Sequence, residues 1–444
     1  MSPARAAALS ALVRLDRTGA RFDGSRRGLP EVRDLSSRDA ALAYELITGT
    51  IKRRATLDAV LAECAGLVAA RVDVVMLAAL RLGAFQLLFL DRVPAHAAVA
   101  ESVEMVTDKG RKGRGFANAV LRRVADVGRE RLAALAPGND AAALAIRHSY
   151  PSWIAQALVD EYGPAEAESL LALGNEQPER CLRVNTLRTT VAAAVDALRE
   201  DGVTATAVAD LPAALLYDRG PIESTKAFRG GSVTPQSRGS QLAALAAAGA
   251  ARPGLRVADL CAAPGTKTAQ LAALLPGARI LAIDIDAARC DALRRNLRRL
   301  GADGVEVRVA DVLTLDPAAS GAFDRVLVDA PCTGLGTLAS RPDLRWRRQA
   351  ADVAALATLQ RGMLARAAAL VAADGLLTYA VCTMTREETT AVVDALVLGG
   401  EWRVDDLGAA FPGYAHPRNG AYLLTLPSRH GTSGFFVARL CRAG

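Results

Sequence analysis

The chain has 444 residues, 51% of them apolar and only 4% aromatic, enough at roughly 100–200 residues per domain for two to four domains. Lys and Arg outnumber Asp and Glu by 54 to 47, a formal charge of +7; such a basic, arginine-dominated balance suits a nucleic-acid partner, and a GC-rich genome that writes Arg for Lys produces it equally well. No run of about 18 apolar residues is free of charges or breakers, which argues against a membrane span. In chain order, MSPARAAALSALVRLD is interrupted by Arg14 and Asp16 and reads as an amphipathic helix, not a signal peptide. AAALSALVRL, SSRDAALAYELITGTIKRR, TLDAVLAECAGL and DVVMLAALRLGAFQLLFL carry apolar residues at three- and four-residue spacing. Ser36 and Ser37 offer an N-cap to the second of these, and Pro94 breaks the chain after the fourth. HAAVAESVEMVTDKG and GFANAVLRRVADV give two more helices, with DKGRKGRG between them as a basic, Gly-rich loop. That loop suits phosphate and suits a solvated helix connection as well.

APGNDAAA reads as a linker, after which RHSYPSWIAQALVDEYG restarts helix with Pro151 near its first turn. From about residue 178 short strands alternate with turns: RCLRVNTL, VTATAVAD, ALLYDR and GGSVTPQSRGSQ, with LRTTVAAAVDALRED as a helix among them. From about residue 240 strands and helices alternate. LRVADL, ARILAID, VEVRVA, FDRVLVDA and GLLTYAV are each followed by a helix or short connection, which implies a doubly wound parallel sheet. YLLTLP and FFVARL have no helix between them, so an antiparallel pair at one edge is expected. The organisation read this way is multidomain: an all-α domain over 1–140, linker helices with a small α+β module over 145–240, and a C-terminal α/β doubly wound, Rossmann-like domain over 241–444.

LRVADLCAAPGTKTAQLAALL is strand, tight turn and helix. The turn comprises Cys261, Ala262, Ala263, Pro264, Gly265, Thr266 and Lys267. Its small residues let a ligand approach the backbone, and the helix start offers N–H groups to a carboxylate. It matches neither the P-loop pattern nor G-x-G-x-x-G. Asp284, Asp311 and Asp329 close three successive strands. An acid some twenty residues after such a turn reaches ribose hydroxyls, which makes Asp284 the candidate for that role; Asp311 could accept from an adenine amino group. An adenosine-type cofactor is expected. Asp286 reads as a helix cap.

Seven cysteines occur, at Cys64, Cys181, Cys261, Cys290, Cys332, Cys382 and Cys441, with no C-x-x-C, and the four histidines are scattered. No metal site is expected from that spacing, and the odd count suits a reducing, cytoplasmic setting. Cys64, Cys181, Cys290 and Cys441 read as small buried hydrophobes. Cys332, in DAPC, and Cys382, in YAVC, each stand where a strand runs out into a loop beside the expected cofactor. A thiolate that adds to C6 of cytosine makes C5 nucleophilic towards a sulfonium methyl, and a second acid/base group then helps release the product.

DLCAAPGTKT, DAPCTGLG and YAVCTM, with RVN at 183–185 and GSQ at 239–241, resemble the S-adenosylmethionine-dependent RNA cytosine-C5 methyltransferases over roughly residues 145–444. The first 140 residues, with ELITGTIKRR and GFANAVLRRV, resemble the NusB-type RNA-binding fold. The pairing is similar to the RsmB (Sun/Fmu) type of bacterial 16S rRNA methyltransferase. That resemblance implies methylation of C5 of a 16S rRNA cytosine, cytosine 967, through a covalent Cys–C6 adduct. It implies Cys382 as nucleophile, Cys332 as the group that assists adduct breakdown, and Asp329 on the pyrimidine edge while also bordering the cofactor. Cys261 to Lys267, Asp284 and Asp311 are implied to bind S-adenosylmethionine. DNA cytosine-C5 enzymes attack with the Pro-Cys cysteine instead, which would make Cys332 the nucleophile. Thr266 stands where glycine is usual, Val381 and Thr383 where Thr and Ser are common, and Ser237 and Ser433 where Asp is frequent. Another rRNA or tRNA site, or a non-catalytic RNA-binding or ribosome-assembly role, are the alternative functions. Ribosomal RNA of the small subunit is the expected partner, and a monomer is expected. Arg183, Arg341, Arg345 and Arg347 are expected to hold RNA, with Trp346 available for stacking and RRNLRR read as a solvated helix face.

Overall fold

In the computed structural model, residues 1–20, 22, 29–218, 220 and 222–443 are described. Two compact units emerge: Met1–Gln177 with Thr337–Ala350, and Pro178–Gly336 with Ala351–Gly444. The helices over 141–173 therefore fall with the first unit, together with a short stretch that directly follows the first cysteine motif.

The first unit is helical, with helices Pro3–Thr18, Ser37–Lys52, Arg54–Ala65, Val74–Phe89, Ala95–Glu104 and Gly110–Ala134. Their starts follow local chemistry. Ser36 accepts the Asp39 N–H at 3.1 Å, and Asp73 accepts the N–H groups of Val75 and Met76, satisfying donors that a helix start leaves open. Val74–Phe89 is buried on almost every face and carries the centre of the core with Leu46, Ile47, Leu57, Leu61 and Leu121. The expected DKGRKGRG loop is instead the opening of the helix Gly110–Ala134. Its three glycines are poor helix formers, but Ala117, Val120, Leu121 and Val124 bury one face of the same helix, and packing outweighs propensity. Arg111, Lys112 and Arg114 remain exposed. No helix among the described residues is long and apolar enough to cross a membrane.

The second unit begins with a four-stranded antiparallel sheet of β1 (Cys181–Val184), β2 (Ala205–Ala207), β3 (Ala214–Tyr217) and β4 (Val233–Pro235), ordered β2-β3-β1-β4. The helix Val191–Glu200, capped by Thr190, covers it. Arg219, the last residue of the ALLYDR strand candidate, lies outside the described residues. The larger sheet contains β5 (Arg256–Asp259), β6 (Arg279–Asp284), β7 (Glu306–Val309), β8 (Phe323–Asp329), β9 (Val371–Val381), β10 (Trp402–Asp405), β11 (Leu423–Thr425) and β12 (Phe435–Arg442). Its order is β10-β12-β9-β8-β5-β6-β7, with β11 paired to β12. The five strands β5 to β9 are parallel. The order reverses beside β5, where such sheets open a ligand crevice.

The expected antiparallel pair forms as β11 with β12, but β12 is not at the edge: it lies between β9 and β10. Phe435 to Ala438 are buried in succession, and a strand apolar on both faces belongs inside a sheet. β10, whose WRVD was not foreseen as a strand, takes the edge and pairs Asp405 with Arg439 at 2.7 Å directly across from it.

Candidate active site

β8 and β9 pair in parallel with Asp329 opposite Ala380. Each strand then releases a loop at its carboxyl end, and the two loops bring Cys332 Sγ to 3.3 Å from Cys382 Sγ. Cys332 is 9% exposed and Cys382 half-buried. The contact with Cys382 pushes the Cys332 thiol well above its ordinary range, and burial and the charges of Glu388 and Asp329 act the same way. Cys332 is therefore a protonated thiol at neutral pH. The loops are tied to each other: the Gly336 N–H donates to the Cys382 carbonyl at 3.0 Å, and the Gly434 N–H to the Gly336 carbonyl at 2.8 Å. A Cβ on Gly336 would lie 2.0 Å from the Gly434 carbonyl oxygen, so only glycine allows these backbones to meet.

The turn after β5 lies beside this pair. Leu260 N–H donates to Leu327 of β8 and Ala262 N–H to Ile283 of β6, which anchors the turn to both neighbouring strands. The Ala263–Pro264 bond is cis, and Gly265 takes φ 97° to start the helix Thr266–Leu274. A Cβ on Gly265 would fall 2.4 Å from Leu293. Lys267 Nζ reaches Asp329 Oδ2 at 2.7 Å, linking the turn to the first cysteine motif. Burial opposes the Lys267 charge, yet the carboxylate of Asp329 outweighs it and holds the lysine pKa above its ordinary value; Cys382 acts in the same direction.

Asp284 is 3% exposed, and its carboxylate accepts the N–H groups of Ala263 and Asp286 and pairs with Arg289 at 3.3 Å. Asp311 is half-buried and caps a short turn through the Leu313 N–H. Asp286 caps the helix Ala287–Leu300, as its position in the sequence suggests. Next to these acids, Ile285 is 65% exposed and Leu313 37%, so apolar side chains stand bare at the ends of the strands that carry Asp284 and Asp311. Such a surface suits the face of an aromatic ring.

Sequence reasoning missed two acids. Asp259 ends β5, is 1% exposed, and accepts the Thr268 hydroxyl at 2.7 Å through Oδ2, while Oδ1 is buried with no hydrogen-bond partner of normal geometry among the described residues. Burial pushes its pKa up to about 6. Its place two residues before Cys261 was the signal. Glu388 is buried beneath both cysteine loops; within REETT it reads as a solvated helix start, and nothing local marks it.

Two of the four expected RNA-binding arginines are corrected. Arg183 is 1% exposed; Nε donates to Gln236 at 2.8 Å, and burial pushes its pKa down to about 10. Arg345 is fully buried in the first unit. It donates to the carbonyls of Lys52 and Gly174 at 3.0 and 2.6 Å and to Asn175 Oδ1 at 2.7 Å, and lies 3.9 Å over the Tyr150 ring. Both are buried too deeply to grip a phosphate at the surface. Trp346 packs on the same helical core and donates to the Ile51 carbonyl at 2.8 Å, so it is not free for stacking on a base. Arg341 and Arg347 are exposed.

Three family descriptions match in succession: the NusB family over residues 2–126, a ferredoxin-like domain of RsmF/B-like methyltransferases over 150–222, and 16S rRNA methyltransferase RsmB/F over 247–441. A protein of Mycobacterium tuberculosis named putative methyltransferase Rv1407 is 40% identical over all of this chain and 97% of its own length. The probable ribosomal RNA small subunit methyltransferase B of Bacillus subtilis is 30% identical over 98% of both chains. This chain belongs to the RsmB/F methyltransferase family. The ribosomal RNA small subunit methyltransferase B of Vibrio cholerae is 33% identical over 99% of this chain and 97% of its own. Among solved structures, PH0851 superposes with a TM-score of 0.83 at 26% identity, covering 99% of each chain. The assignment agrees with the NusB-like helical unit, the small strand-rich module and the doubly wound sheet.

Proposed function

We propose that the protein is a cytoplasmic, S-adenosylmethionine-dependent methyltransferase acting on C5 of a cytosine in 16S ribosomal RNA, with cytosine 967 as the target. The observation that carries this reading is the pair of sulfur atoms 3.3 Å apart at the carboxyl ends of β8 and β9, beside the turn at the switch of strand order. S-adenosylmethionine, when bound, supplies an electrophilic methyl group. The turn from Cys261 to Lys267 and the strand-end acids Asp284 and Asp311 would hold it, with Asp329 at its border. The N–H groups at the start of Thr266–Leu274 suit its carboxylate, and the exposed Ile285 and Leu313 suit its adenine.

Cys382, the more accessible thiol, adds as thiolate to C6, forming an S–C6 bond; electron density then moves to C5, which becomes the nucleophile. Lys267 stabilises that thiolate and is itself fixed by Asp329. Asp329 also holds the pyrimidine edge. After methylation a base takes the C5 proton, the C5–H electron pair forms the C5=C6 double bond, and the S–C6 pair leaves with the Cys382 sulfur as thiolate. Cys332 assists this elimination from the closed side of the site. The target base has to leave its stack to meet the thiols. Arg341 and Arg347 contact phosphate, so binding weakens steeply with salt.

The test uses the full chain and 16S rRNA transcript. Cys332→Ala should accumulate a covalent RNA adduct stable to denaturing gels, and Cys382→Ala should form none. The opposite pattern would move the nucleophile to Cys332. Bisulfite sequencing of ribosomal RNA from a deletion strain identifies the nucleotide.

A further inference from the structure

Glu388 stands in the short turn Arg386–Glu388 and its side chain is fully buried. One carboxylate oxygen accepts the Thr333 N–H at 2.8 Å and Gln360 Nε2 at 3.0 Å. The other accepts the Thr333 hydroxyl, the Thr385 hydroxyl at 3.2 Å and the Thr383 hydroxyl at 3.3 Å. The two hydroxyls of Thr333 and Thr383 also meet at 2.9 Å, and Tyr379 donates to the Glu388 carbonyl at 2.7 Å. Thr333 directly follows Cys332 and Thr383 directly follows Cys382. A single carboxylate thus receives the residue next to each thiol, and Gln360 Nε2 also donates to the carbonyl of Pro331 on the other side of Cys332, at 2.9 Å.

A buried carboxylate is expensive to desolvate, and packing alone would be better served by an apolar side chain of similar volume. Every donor to Glu388 named here is neutral, so the group does not serve as half of an ion pair. What the cluster does accomplish is to clamp two loops, fifty positions apart in sequence, against each other. Thiol chemistry at a single base carbon needs such a constraint, because a displacement of an ångström is costly in rate.

We propose that Glu388 is a positioning residue of the two-thiol site: its carboxylate locks the loops after β8 and β9 together so that Cys332 and Cys382 stay in reach of one substrate base. The inference rests on the adduct mechanism proposed above. Glu388→Gln keeps the shape but leaves one acceptor oxygen where there were two: its NH2 faces either the Thr333 N–H and Gln360 or the three threonine hydroxyls, which must then turn to accept, and the clamp loosens. With the full-length protein and 16S rRNA transcript, Glu388→Gln should lower kcat about 10- to 100-fold. KM for RNA and the calorimetric Kd for S-adenosylmethionine should change less than threefold, since the hydrogen bonds that hold the cluster named above run to the loops after β8 and β9 and to Gln360. In the Cys332→Ala background it should slow adduct formation by the same factor.

A kcat within twofold of the parent, or a kcat, KM and Kd that worsen together, overturns the positioning role. Should Glu388→Gln not fold, Thr383→Val removes one donor of the same cluster. It should lower kcat 3- to 10-fold with Kd unchanged, and an undiminished kcat overturns the proposal. Absence of adduct in Cys332→Ala with Glu388 intact defeats the adduct mechanism itself. Adduct that forms there, and equally fast in the double variant, defeats only the role given to Glu388.

Discussion

In the turn after β5 the backbone does the holding. Ala262 N–H goes to Ile283, Gly265 N–H returns to Ala262, and Ala263 N–H meets Asp284 within some twenty residues of chain. In the loops after β8 and β9 the backbone bond from Gly336 to Cys382 is joined by a cluster of side chains, Glu388, Thr333, Thr383 and Gln360. Lys267 Nζ joins the first region to Asp329, at the start of the second, at 2.7 Å. A region held by its own backbone leaves its signature in a short stretch of small residues. A region clamped by distant side chains leaves almost none.

The two regions should therefore fail separately. The largest effect is expected for Cys382→Ala: methyl transfer, followed with tritiated donor, falls roughly 10⁴-fold or more, while calorimetric affinity for S-adenosylmethionine stays within threefold. Loss of both together would mean that the regions are one cooperative piece. Gly265→Ala probes the other side. Its positive φ and the overlap with Leu293 together cost about 2–5 kcal/mol; cofactor affinity should drop at least tenfold, while Cys332→Ala with this change still forms RNA adduct.

Asp259 sharpens the contrast through pH. Its folded pKa of about 6 lies above the ordinary 3.8, so the ionised form is the penalised one. The stability it contributes is intact below about pH 4 and is lost as pH rises through about 6, a change of about 3 kcal/mol. Relative to Asp259→Asn, the parent protein should lose about that much between pH 4 and 7 in urea titrations; a constant difference would show that the carboxylate is not buried. The smallest effects belong to Arg341→Ala and Arg347→Ala. Each should reduce the slope of log affinity against log salt by about 0.7, the value for one phosphate contact on single-stranded RNA, with no change in adduct rate per bound RNA.

The arginines show what could be read in advance and what could not. Arg341, Arg345 and Arg347 share one short basic stretch and look equivalent. Arg345 alone turns inward, because the carbonyls of Lys52 and Gly174 and the ring of Tyr150 need a fully buried, multiply donating cation. Those partners lie hundreds of residues away, so no local pattern announces them. The same holds for Arg183, whose acceptor Gln236 lies 53 positions along the chain. DKGRKGRG failed for the opposite reason: local breakers suggested a loop, and the apolar face further along the helix overruled them.

The sequence by itself determined the series of helices, the small strand-rich module, the alternating strands and helices, and the presence of two cysteines at strand ends beside a small-residue turn. Those features depend on periodicity, caps and turn residues, which act over a few positions. Only the tertiary structure decided that β12 lies inside the sheet, that the thiols stand 3.3 Å apart, that Arg183 and Arg345 are interior, and that Glu388 joins the two loops. Each of these depends on satisfying buried polar groups or covering apolar faces between segments far apart in the chain, and that condition exists only once the chain has folded.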